Sequence, residues 1–140
     1  MIKKDTRFLI VGLGLIGGSY AMGLKRNGFH VDAIDINQLS IDYAKEHDII
    51  DEGSTFAIEL IQNADFIISG LYPNMTVEWY ATYQKYMKPH AFLTDVSGVK
   101  RNIVERIQSI LREDLEFCAS HPMAGKEVSG VKYADDAIFH

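Results

Sequence analysis

Cysteine is nearly missing from this 140-residue chain: Cys118 stands alone, so no disulfide can close within it. Basic residues are also scarce, 14 Lys and Arg against 19 Asp and Glu, for a formal net charge of -5. A protein that tracks phosphates along a duplex needs a basic stripe, so this deficit argues against nucleic acid as a partner. Long hydrophobic runs are lacking as well. The amino terminus, "MIKKDTRFLIVGLG", meets a glycine turn after a short apolar stretch, too brief for a signal-peptide core or a span; no membrane association and a cytoplasmic location are expected. No repeat, low-complexity tract or linker divides the sequence. His30, His47, His90, His121 and His140 show no metal-ligand spacing, so no metal site is inferred. What remains is a single domain over 1–140, with 47% apolar residues to fill one core. Cys118, in the apolar run "LEFCAS", is expected to be a small buried core residue.

Short β-rich runs alternate with helical stretches. "TRFLIVG" (6–12), "FHVDAID" (29–35), "DFIISGLY" (65–72), "HAFLTDVS" (90–97) and "LEFCAS" (115–120) read as strands. "LIGGSYAMGLKRNG" (15–28), "QLSIDYAKEH" (38–47), "AIELIQNA" (57–64), "MTVEWYATYQKYM" (75–87) and "VKRNIVERIQSILRE" (99–113) read as helices, the fourth with an aromatic face. Strands joined through helices pair in parallel, which predicts a doubly wound α/β sheet of Rossmann type. Ligands of such sheets gather beyond the carboxyl ends of the strands, where strand order reverses.

The first strand runs into Gly12-Leu13-Gly14-Leu15-Ile16-Gly17, a G-x-G-x-x-G in a strand-turn-helix setting. Gly12 permits the tight turn, Gly14 admits a pyrophosphate, and Gly17 lets the helix pack on the strand. The helix amino terminus at Leu15 and Ile16 offers free N–H groups to the anion. Glycine turns also join strands to helices without any ligand, so corroboration matters. Asp35, at the end of the second strand, stands where the acid that binds a ribose diol belongs. Its charge would repel a 2′-phosphate, and "DINQ" holds no arginine to reverse that preference, so NAD is favoured over NADP.

Three further strand ends face the same edge. In "GLYPNMT" (70–76), Leu71, Tyr72 and Pro73 either pass over the dinucleotide or form an ordinary loop, with Asn74 or Thr76 capping the next helix. In "TDVSGVK" (94–100), Ser97 reads as a helix cap or a cofactor contact, Asp95 as a turn former, and Lys100 as a solvated side chain. His121 follows the last strand directly. Neutral imidazole suits the acceptance of a hydroxyl proton beside a nicotinamide, although a histidine bonded to backbone would look the same.

The segments "VGLGLIGGS" (11–19), "TDVSGVK" (94–100) and "HPMAGKEVSG" (121–130) resemble the prephenate and arogenate dehydrogenases of tyrosine biosynthesis. The resemblance implies an NAD-dependent oxidative decarboxylation of a small-molecule substrate, prephenate or arogenate, with His121 against the substrate hydroxyl. Many members read Asp-x-Gly-Ser-Val-Lys, whereas here serine and glycine are exchanged, Ser97 before Gly98. Ser97 is thus carried over either as a catalytic partner of His121 or as a contact of the cofactor ribose.

Family members continue into a helical domain that forms a homodimer and completes the substrate site. This chain stops at His140, so the resemblance implies a nucleotide half that binds NAD, turns over little substrate and exposes an apolar patch. Lys100, Arg101 and Lys126 are its nearby cations for a dianionic substrate. A β-hydroxyacid-type dehydrogenase domain, or a non-catalytic NAD-binding redox-sensing module, are the alternatives.

Overall fold

Strands buried on both faces must be apolar along their length, and the runs identified above meet that condition. The computed structural model describes residues 3–96 and 101–119. Its strands are β1 (Arg7–Val11), β2 (His30–Ile34), β3 (Glu52–Ser54), β4 (Phe66–Ser69), β5 (Phe92–Asp95) and β6 (Glu116–Ala119). Between them lie α1 (Leu15–Arg26), α2 (Gln38–Glu46), α3 (Ile58–Asn63), α4 (Pro73–Tyr83) and α5 (Arg101–Ile110). β3 is an addition to the sequence reading. Its three residues, Glu-Gly-Ser, carry no strand propensity; pairing with β2 from Asp32↔Glu52 to Ile34↔Ser54 makes them a strand.

The sheet runs β3-β2-β1-β4-β5-β6 with every neighbouring pair parallel, a single α/β sheet of Rossmann type. Strand order reverses between β1 and β4. Register brings Ser54, Ile34, Val11, Ser69, Asp95 and Ala119 into one final row at the carboxyl edge.

Alternation within the strands divides the core into two layers. Leu9, Val11, Ile67 and Leu93 face Val77 and Tyr80 of α4 and Ile107 of α5. Phe8, Ile10, Val31, Ala33 and Ile68 face Ala21 of α1 with Ile41 and Ala44 of α2. α2 is capped by Asn37, whose side chain accepts the Leu39 N–H at 3.0 Å.

Two expectations are corrected. Cys118 is exposed rather than buried. It lies on the outermost of the described strands, and Leu115 and Phe117 turn toward the core instead. α4 begins at Pro73, two residues earlier than the pattern suggested, and gives way after Tyr83 to a 3₁₀ turn at Gln84–Tyr86. Proline fits the first helical position because its missing N–H would have had no partner there. Among the described residues, no helix is long and apolar enough to cross a membrane.

Candidate functional site

The β1–α1 turn opens the crevice at the point of strand reversal. Gly12 donates to the Ile34 carbonyl at 2.9 Å and takes φ +91°, a conformation that side chains resist. Gly17 is needed for contact: a Cβ there would collide with the Gly12 carbonyl oxygen. Gly14 has neither reason. Its backbone is extended, φ −129°, and a Cβ would meet nothing within 4 Å among the described residues. The fold alone does not require glycine at this position, whereas a group approaching the backbone from outside would. Gly14 is also the N-cap of α1, without a side-chain cap or an acidic residue in the first turn. The helical ladder starts with Gly18 N–H on the Gly14 carbonyl, which leaves the amides of Leu15, Ile16 and Gly17 without intrahelical partners.

Asp35 closes the opposite side. One carboxylate oxygen accepts the Leu13 N–H at 2.7 Å, the other the Asn37 N–H at 2.8 Å. Each oxygen keeps acceptor capacity for an incoming hydroxyl. The amides therefore aim the carboxylate instead of using it up. Beside it a recess of about 340 Å³ is lined by Gly12, Ile36, Thr55, Phe56, Leu71, Met75, Trp79 and Tyr83. Ile36, Phe56 and Met75 are exposed apolar residues on that wall, and Leu39 and Tyr72 are exposed as well.

Leu71 packs against the glycine turn, its side chain 3.0 Å from where a Gly12 Cβ would be. Tyr72 is the N-cap of α4 and Pro73 its first residue, and neither Asn74 nor Thr76 caps the helix. Asp95 is no turn former. It is fully buried at the end of β5 and accepts a hydrogen bond from the Thr76 hydroxyl at 3.1 Å. Thr76 in turn lies 2.8 Å from the Ser69 hydroxyl. The neighbouring Tyr80 donates to the Thr94 carbonyl at 2.7 Å; burial, reinforced by the Asp95 charge, pushes its phenol well above the ordinary range.

The structure thus brings Gly12, Gly14, Leu15, Ile16, Gly17, Asp35 and Leu71 to one edge, with Tyr72 and Pro73 adjoining. Ser97 and His121 lie outside the described residues. Ile36, Phe56, Met75 and Ser69 escaped the sequence reading, and Thr76 entered it only as a candidate helix cap. The aromatic face of α4 was the one signal for Trp79 and Tyr83.

The edge thus combines a glycine turn, a helix amino terminus and a fixed carboxylate, and comparison with known proteins gives the family. Residues 20–140 match the family model described as prephenate dehydrogenase, nucleotide-binding domain. The chain belongs to the prephenate dehydrogenase family. The Bacillus subtilis prephenate dehydrogenase is 32% identical over 139 residues, which cover 97% of this chain and 37% of that protein. Among solved structures, A. aeolicus prephenate dehydrogenase, in complex with hydroxyphenyl propionate and NAD+, superposes with a TM-score of 0.86 at 34% identity. It covers 96% of this chain and 47% of its own. Synechocystis arogenate dehydrogenase gives 0.84 at 28% identity, with 93% and 45% covered. The chain therefore spans less than half the length of these family members.

Proposed function

We propose that the crevice binds NAD and that the chain is the nucleotide half of a dehydrogenase acting on prephenate. Gly14 carries the reading, a glycine at the mouth of the turn for which the described residues give no steric reason. The pyrophosphate would rest on the free amides of Leu15 to Gly17, the ribose diol on Asp35, and the adenine in the apolar recess at Ile36 and Phe56. Asp35 selects against a 2′-phosphate, because Ile36 and Asn37 beside it bring no cation. Support for NAD also comes from the A. aeolicus relative, solved in complex with it.

NAD held there would supply the hydride acceptor for the hydroxyl-bearing ring carbon. His121 would polarise that hydroxyl, accept its proton as the carbonyl forms, and return it to the ring oxygen once the opposite carboxylate has left as carbon dioxide, giving 4-hydroxyphenylpyruvate. Ser97 would hold either His121 or the cofactor ribose. Full turnover and homodimer assembly are assigned to a longer protein, in which a helical domain completes the substrate site with cations. The likeness to an arogenate dehydrogenase makes arogenate the rival substrate.

The test presents prephenate and arogenate, each with NAD and NADP, to the longest form of the protein and follows the reduced nicotinamide. NAD-dependent oxidation of prephenate is expected, and His121→Asn should cut turnover by about 100-fold or more at nearly unchanged NAD affinity. Full turnover in that variant would remove His121 from the chemistry.

A further inference from the structure

A fully buried carboxylate is expensive, and apolar side chains of similar size often stabilise a core better. Asp95 nevertheless sits within the apolar layer beneath α4, at the last row of the sheet. Its surroundings suggest what it is kept for. Leu71 N–H donates to Ser69 Oγ at 3.3 Å, the Ser69 and Thr76 hydroxyls are 2.8 Å apart, and Thr76 donates to Asp95 Oδ2 at 3.1 Å. With the carboxylate as acceptor, the hydroxyl protons are ordered in one direction, from the turn amide to Asp95. Ser69, Thr76 and Asp95 are all buried.

The relay ends at the wall of the crevice. Leu71 abuts Gly12, Leu71 and Met75 line the recess beside Asp35, and Gly70 donates to the Val11 carbonyl at 2.8 Å. On its other side, Ser69 accepts the Val96 N–H through its carbonyl at 2.9 Å, which ties the end of β5 to the same row. Of Ser69, Thr76 and Asp95, Thr76 is the one carried by a helix, and its hydroxyl also lies 3.5 and 3.4 Å from the carbonyls of Leu71 and Tyr72.

We propose that Thr76, acting through Ser69 and Asp95, is a positioning residue that sets the β4–α4 turn at the height the dinucleotide requires. The proposal rests on the nucleotide reading above. An apolar replacement would keep the turn's course but lose its exact placement, since dispersion has no preferred direction and a hydrogen bond does.

The test compares Thr76→Val, which keeps the shape and removes the hydroxyl, with Thr76→Ser, which restores it. Each is titrated with NAD well below its melting temperature, with the fluorescence of Trp79, the single tryptophan and a residue of the recess, as the signal. Thr76→Val should bind NAD about tenfold more weakly while folded, and Thr76→Ser should return to within about threefold of the parent. A purely structural hydroxyl would lower the melting temperature of Thr76→Val and leave its NAD affinity unchanged, which would overturn the proposal. Should Thr76→Val not fold, Ser69→Ala interrupts the same relay, and undiminished affinity there has the same meaning. If the parent chain fails to bind NAD, the nucleotide reading falls first and this one with it.

Discussion

At the amino edge of the sheet, charges meet charges. Arg7 and His30 both reach the buried Asp32, at 3.4 and 2.7 Å; Lys25 pairs with Asp51, Lys88 with Asp65 and Arg112 with Asp114, each at 2.7 Å. At the carboxyl edge the Asp35 carboxylate is held by two backbone amides, glycine leaves space, and apolar side chains face outward. Size does not separate the two. The hollow at the amino edge, about 540 Å³, is larger than the recess beside Asp35, yet Arg7 and Lys88 on its walls are already committed to Asp32 and Asp65. One edge has paired most of its charges internally, the buried Arg7 Nε excepted, and the other has kept donors, acceptors and apolar surface in reserve. That reserve marks the edge where a ligand belongs.

The contrast can be broken most severely at Gly17. Gly17→Ala drives a methyl into the Gly12 carbonyl, so it should cost about 3 kcal/mol or more in denaturant unfolding and abolish NAD binding with the fold. Retained stability would show that the turn has slack that the structure lacks.

A smaller effect sharpens the amino side. Desolvation pushes Asp65 and Asp51 up, but Lys88 and the Arg7 amide on the first, and Lys25 and the Val31 amide on the second, hold both below the usual 3.8. Asp114 is held lower still by Arg112. Carboxylates depressed in the folded state contribute stability above the unfolded value and lose it as pH falls through the folded one, because the unfolded chain then binds more protons. Stability should therefore decline below about pH 4. Asp65→Asn should flatten that decline and cost about 1 kcal/mol at neutral pH, no more, since both partners are over one-third exposed. An unchanged acid limb would mean that Asp65 contributes nothing to it.

Cys118→Ser should change least, within about 0.5 kcal/mol, because the thiol is exposed on an outer strand. A loss of 2 kcal/mol or more in the same unfolding measurement would restore the buried reading that the structure corrected.

Local patterns explain what could be read without coordinates. The glycine turn and Asp35 were visible because their spacing is set by a strand, a turn and a helix in succession. The parallel sheet was visible because apolar runs alternate with helices. β3 was not, since partner pairing rather than propensity makes "EGS" a strand. Asp95 looked like a turn residue because its hydroxyl partner, Thr76, is nineteen positions earlier and meets it only through the packing of α4 on β5. Cys118 was misjudged because an apolar run does not say which strand will be outermost.

Gly14→Ala separates the two edges most directly. Titrated with NAD beside the parent chain, with unfolding followed in parallel, the variant should stay within about 1 kcal/mol of the parent in stability, since the lost N-cap preference offsets the gain from a stiffer unfolded chain, and should bind NAD at least about 30-fold more weakly. A variant that binds NAD as tightly as the parent would contradict the assignment of the carboxyl edge as the nucleotide site.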